Sequence, residues 1–332
     1  MKTLSLSILT IAFAFVLIYL FTGSTNEEAI SEAKIESFKE EYKVFALQLP
    51  KAATFANESV PTELIDVQEK FDRELHVNTY WQSQTILFIK RSNRWFPTIE
   101  KILAEEGVPE DFKYLSLIES GFQQVVSPAG ATGYWQLMKS AAKENGLEVN
   151  GAIDERYHIE KSTYAACAYL KKAKERFGSW TLAAASYNMG MAGLAKQMER
   201  QKATNYYDLV LNEETSRYVF RILAAKTILS NPTDFGFTFT SSDLYQPFQY
   251  EEVVVTKTID DLATFSFEHG INYKALKYLN PWLRDRFLPN ASGKEYRLKI
   301  PTKALSIVLV NDKEQVITFT RENGDEGNKQ EE

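Results

Sequence analysis

The chain has 332 residues, 44% of them apolar and 25% charged, with a formal net charge of −6. That is room for two or three compact domains of ordinary composition, and without a long run of Lys or Arg it argues against a nucleic-acid partner. One cysteine, Cys167, rules out an intrachain disulfide, and the three histidines, His76, His158 and His269, stand at no metal-ligand spacing, so no metal or other cofactor is implied. Cys167 lies in the apolar helical run YAACAYL and reads as a buried core thiol.

The N-terminus opens with one lysine before an apolar run from Leu4 to Phe21. As a helix that run is ~27 Å long, close to a ~30 Å hydrocarbon core. It exceeds the apolar core of an ordinary cleaved signal, no A-x-A site follows, and no cysteine follows to carry a lipid. Residues 1–23 therefore read as an uncleaved signal-anchor, with a cleaved signal peptide as the alternative, and either one exports the chain. The membrane is thus an expected partner through residues 4–21. Residues 24–60, which include NEEAISEAKIESFKEEY, read as a polar stalk.

Residues 61–232 read as a mainly α domain. From PTELIDVQEKFDREL to RWFPTIEKILAEEGVPEDF the pattern is amphipathic helices separated by Pro97 and by the EEGVPED turn. HIEKSTYAACAYLKKAKERFG carries Ile159, Ala166, Leu170, Ala173 and Phe177 at helical spacing, with Gly178 placed as its stop. SWTLAAASYNMG restarts with Ser179 as N-cap and ends at Gly190. EETSRYVFRILAAKTILSNP puts Tyr218, Ile222, Ala225 and Leu229 on one apolar face and stops at Pro232. Residues 233–249 read as a linker. Residues 250–302 follow a β-α-α-β order: strand EEVVVTK, helices in IDDLATFSFEHG and YKALKYL, strand EYRLKIP. Strands are expected in 303–320, in a hairpin around Asn311-Asp312, and a disordered tail in 321–332.

The chemistry centres on Glu119, at the end of the nearly all-apolar run YLSLIES. On a helix starting near Pro109, Phe112, Leu115 and Glu119 share a face, and Tyr114, Leu117 and Ile118 cover the other sides. A carboxyl at the end of such a helix is partly desolvated, which raises its pKa as a general acid needs. The alternative is a solvated carboxylate at the helix end. The following loop carries Gly130 and Gly133, with Ser127, Gln136 and Asn188 beside Tyr134, Trp135 and Tyr187. Amides and hydroxyls next to flat rings suit a sugar, although Tyr134 and Trp135 also fit an ordinary core.

Three motifs in order carry a resemblance: Glu119-Ser120, SPAGATGYWQLM at 127–138, and ASYNMG at 185–190. Together with the run from YWQSQTILFIKRSNRWF to ESGF, residues 60–230 resemble the lysozyme-like lytic transglycosylases of the soluble-lytic-transglycosylase type, in the membrane-bound D arrangement. The resemblance implies a lysozyme-like fold and cleavage of the MurNAc-β-1,4-GlcNAc bond of peptidoglycan strands with formation of a 1,6-anhydromuramoyl end. It makes Glu119 the single acid/base, places Ser127 near the muramoyl acetamido group, and lines the glycan groove with Gln136, Met138, Tyr187 and Asn188. The spacing from Glu119 to Ser127 is one residue shorter than in many members, which leaves the position of Ser127 open. It also implies an extracytoplasmic, periplasmic location.

A single carboxylate fits that chemistry. Hydrolytic glycosidases need a second one ~5 Å away if retaining and ~6.5–9.5 Å away if inverting. Asp111 lies about 12 Å back along the helix. Glu144, Glu148, Asp154 and Glu155 read as surface or capping residues, Asp154 ahead of the helix near Ile159. A water-using muramidase with an unidentified second carboxylate and a non-catalytic peptidoglycan scaffold are the competing readings. Residues 250–301 resemble a LysM domain, a small glycan binder. Its usual GDTL-like turn is TIDDL here, at Thr258 to Leu262, so a structural spacer stands as the alternative.

Overall fold

The structure, a computed structural model, describes residues 44–302 and the backbone of Leu309–Val310 and Val316–Ile317. Two compact units are distinguished, Met1–Gln48 and Leu49–Glu332. The expected signal-anchor over residues 4–21 and the tail at 321–332 lie outside the described residues, and among the described ones no helix is long and apolar enough to cross a membrane.

The second unit begins with a hairpin, β1 (Ala53–Phe55) paired antiparallel with β2 (Glu58–Val60). This corrects the expected stalk, whose boundary was set at residue 60. Phe55 is fully buried and meets Phe112 edge-on at 5.2 Å, and Glu58 ties the hairpin to a helix start described below. The chain then forms α1 (Ile65–Tyr80) and α2 (Gln82–Glu105). Pro97 does not separate two helices as its ring and missing N–H suggest; it sits inside α2. A mid-helix proline costs about 3 kcal/mol, but Phe88 and Ile89 before it and Ile99, Ile102 and Leu103 after it are all buried. Burying five large apolar side chains, each worth about 1.5–3 kcal/mol, outweighs the break.

After α3 (Phe112–Ser120) and the short α4 (Lys139–Glu144), the core is completed by α5 (Ile159–Phe177), α6 (Trp180–Met189), α7 (Met191–Gln201) and α8 (Glu213–Ser230). Gly178 ends α5 in the left-handed conformation, and Ser179 caps α6 by accepting from the Leu182 N–H, as expected from sequence. Alanines 183–185 are fully buried, so α6 packs closely between α5 and α8. Cys167 is buried in α5, and burial pushes its thiol up to about 12, which keeps it an inert core group.

The β-α-α-β order holds: β3 (Tyr250–Val255), α9 (Leu262–Glu268), α10 (Tyr273–Leu279) and β4 (Tyr296–Pro301), with β3 and β4 antiparallel and Tyr250 opposite Pro301. Two-residue strands β5 (Leu309–Val310) and β6 (Val316–Ile317) pair beyond it.

This small module is docked rather than tethered. Its core cluster of Leu262, Leu276, Leu283 and Leu298 also contains Ala152, Ile153 and Tyr157 of the helical domain. Backbone bonds join the two across that seam, Asp154 N–H to the Trp282 carbonyl (2.9 Å) and Arg284 N–H to the Ala152 carbonyl (2.7 Å). The linker is held too, with Tyr245 N–H donating to the Lys90 carbonyl of α2 at 3.1 Å.

Candidate active site

Eight of the nine residues of α3 are buried, and Glu119 is the ninth. The wall of apolar side chains expected around it is present, with Phe112, Leu115 and Leu117 at zero exposure. Glu119 is thus the one partial opening in a sealed helix. Desolvation raises its pKa, with Glu214 adding repulsion, while a hydrogen bond from the Tyr218 hydroxyl and the charge of Arg221 act the other way. Its place in the last helical turn, among unpaired carbonyls, further disfavours an anion.

The three groups that act on Glu119 come from one face of α8, at positions 214, 218 and 221. Arg221 also donates to the Ile118 carbonyl at 3.2 Å, pinning α8 to the end of α3. Sequence reasoning placed Tyr218 in an apolar stripe and passed over Glu214 and Arg221. Tyr218 does lie in the core; only the meeting of two helices 99 residues apart gives its hydroxyl a role.

The helix end is joined to the loop by the motif serine. Ser120 Oγ donates to the Tyr134 carbonyl (2.8 Å) and accepts from the Phe122 N–H (3.0 Å), while Ser116 Oγ donates to the same carbonyl at 3.0 Å. Gly121 closes α3 with φ +56, its N–H reaching the Leu117 carbonyl at 2.8 Å. Gly133 has φ +79, and a Cβ there would collide with the Arg156 carbonyl, so no other residue fits. Phe122 and Gln136, neither of them glycine, hold φ of +56° and +47°. Such conformations cost about 1 kcal/mol or more each and concentrate at functional sites.

Each expected site residue has a defined place. Ser127 Oγ accepts from the Ala131 N–H at 3.0 Å, closing its own turn and leaving its proton for another acceptor. Gln136 donates to the carbonyls of Val125 (3.1 Å) and Gly133 (3.0 Å), so its amide shapes the loop. Met138 is exposed, at the start of α4. Across from the loop, Tyr187 donates to the Trp135 carbonyl at 2.7 Å. Asn188 is fixed on both sides, donating to Glu214 Oε1 at 3.0 Å and accepting from Thr215 Oγ1 at 2.7 Å. Burial together with the neighbouring Glu119 raises the phenols of both Tyr187 and Tyr218 well above their usual value, which keeps them neutral donors. Trp135 is core, fully buried, with its indole N–H on Thr163 Oγ1 at 2.9 Å.

The other acids have structural work. Asp111 accepts from the Ala56 N–H and Lys226, each at 2.7 Å. Glu148 receives Lys294 (2.6 Å) and Tyr296 (2.9 Å) of the β-α-α-β module. Asp154 and Glu155 are not surface residues but buried ones. Asp154 grips Arg156 and caps the single turn Glu155–Tyr157, not the helix at Ile159; Glu155 bonds Lys161 and the Glu148 N–H. In the TIDDL turn, Asp261 caps α9 by accepting from the N–H groups of Ala263 and Thr264.

Comparison with known proteins meets this geometry. Residues 97–210 match the transglycosylase SLT domain and residues 251–304 the soluble lytic transglycosylase C-terminal LysM-like domain. Two curated relatives, each named membrane-bound lytic murein transglycosylase D, come from Escherichia coli strains K12 and O6:H1. Each is 27% identical over 243 residues, 71% of this chain and 52% of the relative. The chain thus spans about half the length of the curated relatives it matches. The lysozyme-like, mainly helical half and the small two-stranded half expected from sequence are therefore both present: this chain joins a transglycosylase SLT domain to a C-terminal LysM-like domain of the soluble lytic transglycosylase kind.

Proposed function

We propose that the protein is a peptidoglycan lytic transglycosylase that cleaves the MurNAc-β-1,4-GlcNAc bond and leaves a 1,6-anhydromuramoyl end, with Glu119 as its single acid/base. The observation that carries this reading is the raised pKa of Glu119 at the one opening of a buried helix, within the span that matches the transglycosylase domain. Protonated Glu119 donates to the glycosidic oxygen as the C1–O bond breaks, and the muramoyl acetamido oxygen bonds to C1 in its place. The resulting carboxylate takes the proton of the C6 hydroxyl, whose oxygen bonds to C1 and displaces the acetamido oxygen. The ring closes and Glu119 is protonated again. The neutral phenol of Tyr218 hydrogen-bonds the carboxylate in its charged half of the cycle.

In this reading Ser127 offers its free proton to the acetamido group, Gln136 and Met138 line the glycan groove, and Tyr187 and Asn188 form its opposite wall. The enzyme acts outside the cytoplasmic membrane, in the periplasm, held there by residues 4–21. The test is mass spectrometry of muropeptides released from isolated peptidoglycan by the full-length chain. Products one water lighter than their hydrolytic counterparts, reduced about 100- to 10,000-fold by Glu119→Gln, are expected from loss of one general acid/base. Full-mass reducing ends identify a water-using muramidase instead. Binding without turnover leaves a scaffold.

A further inference from the structure

Between the two domains, α2, the end of the linker and α10 enclose an open groove of about 660 Å³. Its lining holds four cations, Arg91, Arg94, Lys274 and Lys277, and no carboxylate, in a chain whose net charge is −6. Backbone carbonyls hold three of the four: Gly121 at 3.1 Å from Arg91, Gln246 at 2.9 Å from Arg94, and Asp285 at 2.8 Å from Lys277. Lys274 is exposed. Their charges are therefore positioned but not neutralised by an acid across the groove.

Aromatic rings complete the surface. The Arg94 guanidinium lies over Phe248 (4.2 Å) and Tyr245 (5.2 Å), and Phe248 in turn packs on Trp95 (5.9 Å) and Tyr278 (5.5 Å). Helical domain, linker and LysM-like domain thus build one platform, with Tyr278 half exposed on it. A surface of fixed cations among flat rings favours a ligand that is anionic and partly apolar.

The groove also has a definite neighbour. Phe122, Gln123 and Gln124 in its wall directly follow Glu119–Gly121, and Tyr134 in its lining belongs to the loop that carries Ser127 and Gln136. A peptidoglycan glycan is built of neutral N-acetylated sugars. Its free carboxylates sit on the peptide stem attached to each muramoyl lactyl group. An extended stem of a few residues reaches ~3.3–3.6 Å per residue, enough to leave the cleavage site and enter the groove beside it.

We propose that this interdomain groove binds the carboxylate-bearing peptide stem of the strand being cut, an inference that rests on the transglycosylase reading above. The LysM-like domain thereby acts as one wall of a stem-recognition site.

The test uses the full-length chain carrying Glu119→Gln, so that strands persist, and calorimetric binding of two glycan fragments of equal length, one with stems and one stripped of them by an amidase. The stem-bearing fragment is expected to bind tighter, with the preference shrinking as salt rises. An exposed charge pair is worth up to about fivefold in affinity, so Lys274→Glu, which adds repulsion, lowers affinity for the stem-bearing fragment at least that much and leaves the stripped one unchanged. Lys196→Glu, the same charge change on exposed α7, has no such effect. Arg94→Gln extends the result; if it loosens the linker, the exposed Lys274 position alone decides. Equal affinity for both fragments, a preference that survives Lys274→Glu, or binding of neither overturns the inference. The enzyme reading is judged separately by product masses from the wild type, so a stem preference without anhydro products sinks that reading and keeps the groove.

Discussion

Glu58 and Glu119 are the same residue type, both partly buried, at opposite ends of two helices that pack in one domain. Glu58, on the hairpin, sits at the N-terminus of α6, where it accepts from Ser179 Oγ (2.7 Å), Trp180 N–H (2.7 Å), Thr181 N–H (2.9 Å) and Thr181 Oγ1 (2.7 Å). Desolvation pushes its pKa up, but these bonds together win and bring it from 4.5 to about 2. Glu119 sits at the C-terminus of α3 with one hydroxyl donor, and there desolvation wins and its pKa rises. Burial alone does not decide how a carboxyl titrates; the number of donors facing it and the end of the helix it occupies do. The domain holds one glutamate as an anion that fixes a helix and shifts the other towards its protonated form.

The sharpest way to break this contrast is to neutralise each carboxyl in turn. Glu119→Gln is expected to cut turnover about 100- to 10,000-fold, as above, yet to raise stability at neutral pH. The sign follows from the raised pKa: ionising Glu119 opposes folding, so stability falls as pH rises through its folded pKa, and Gln removes that loss. Thermal unfolding at pH 5 and pH 8 checks it, since the variant's advantage over the wild type grows with pH. A variant less stable than the wild type at pH 8 would mean that the site holds the charged form well.

Glu58→Gln has the opposite sign. The lowered pKa makes the contribution of Glu58 fully present above its ordinary 4.5 and lost as pH falls from there to about 2. The shift corresponds to about 3 kcal/mol, and because the side chain is 27% exposed solvent reduces this to about 2 kcal/mol. Denaturant unfolding at pH 7 is expected to show that loss, and the gap between variant and wild type is expected to close as the pH drops towards 2. A gap that persists at pH 2 would assign the effect to packing of the hairpin. Because α6 carries Tyr187 and Asn188, KM is expected to rise more than kcat falls.

Glu119 is legible in the sequence because its setting is local. The apolar run, the glycines and the serine that ties helix to loop all lie within residues 112–138, and the LysM-like order is likewise written in consecutive runs. Glu58 was lost in the expected stalk because its helix partner lies about 120 residues away, and nothing in KAATFANESVP looks like half of a cap. Pro97 misled for a related reason: a local breaker is overruled by burial on both sides that only the tertiary structure provides. Tyr218 belongs to the same class. It sits at a core position of α8, and its hydroxyl becomes part of a site when α8 crosses the end of α3.

Tyr218→Phe sharpens the comparison at its smallest scale, because it removes the donor that Glu119 has and changes little else. The Tyr218 bond favours the charged form of Glu119, so without it the Glu119 pKa rises further. A hydrogen bond to a charged group is worth about 1.5–3 kcal/mol, so losing it is expected to raise the Glu119 pKa measurably. If Glu119 acts as the initial acid, the alkaline limb of kcat/KM moves up in pH with it, while kcat at the optimum falls because the carboxylate formed on proton donation is no longer held. An unmoved alkaline limb with unchanged stability would show that the limb reports another group and that Tyr218 only fills space. A limb that moves down would mean that the carboxylate is held by Arg221 more strongly than by the phenol, and that the donor count at Glu119 is set by α8 as a whole.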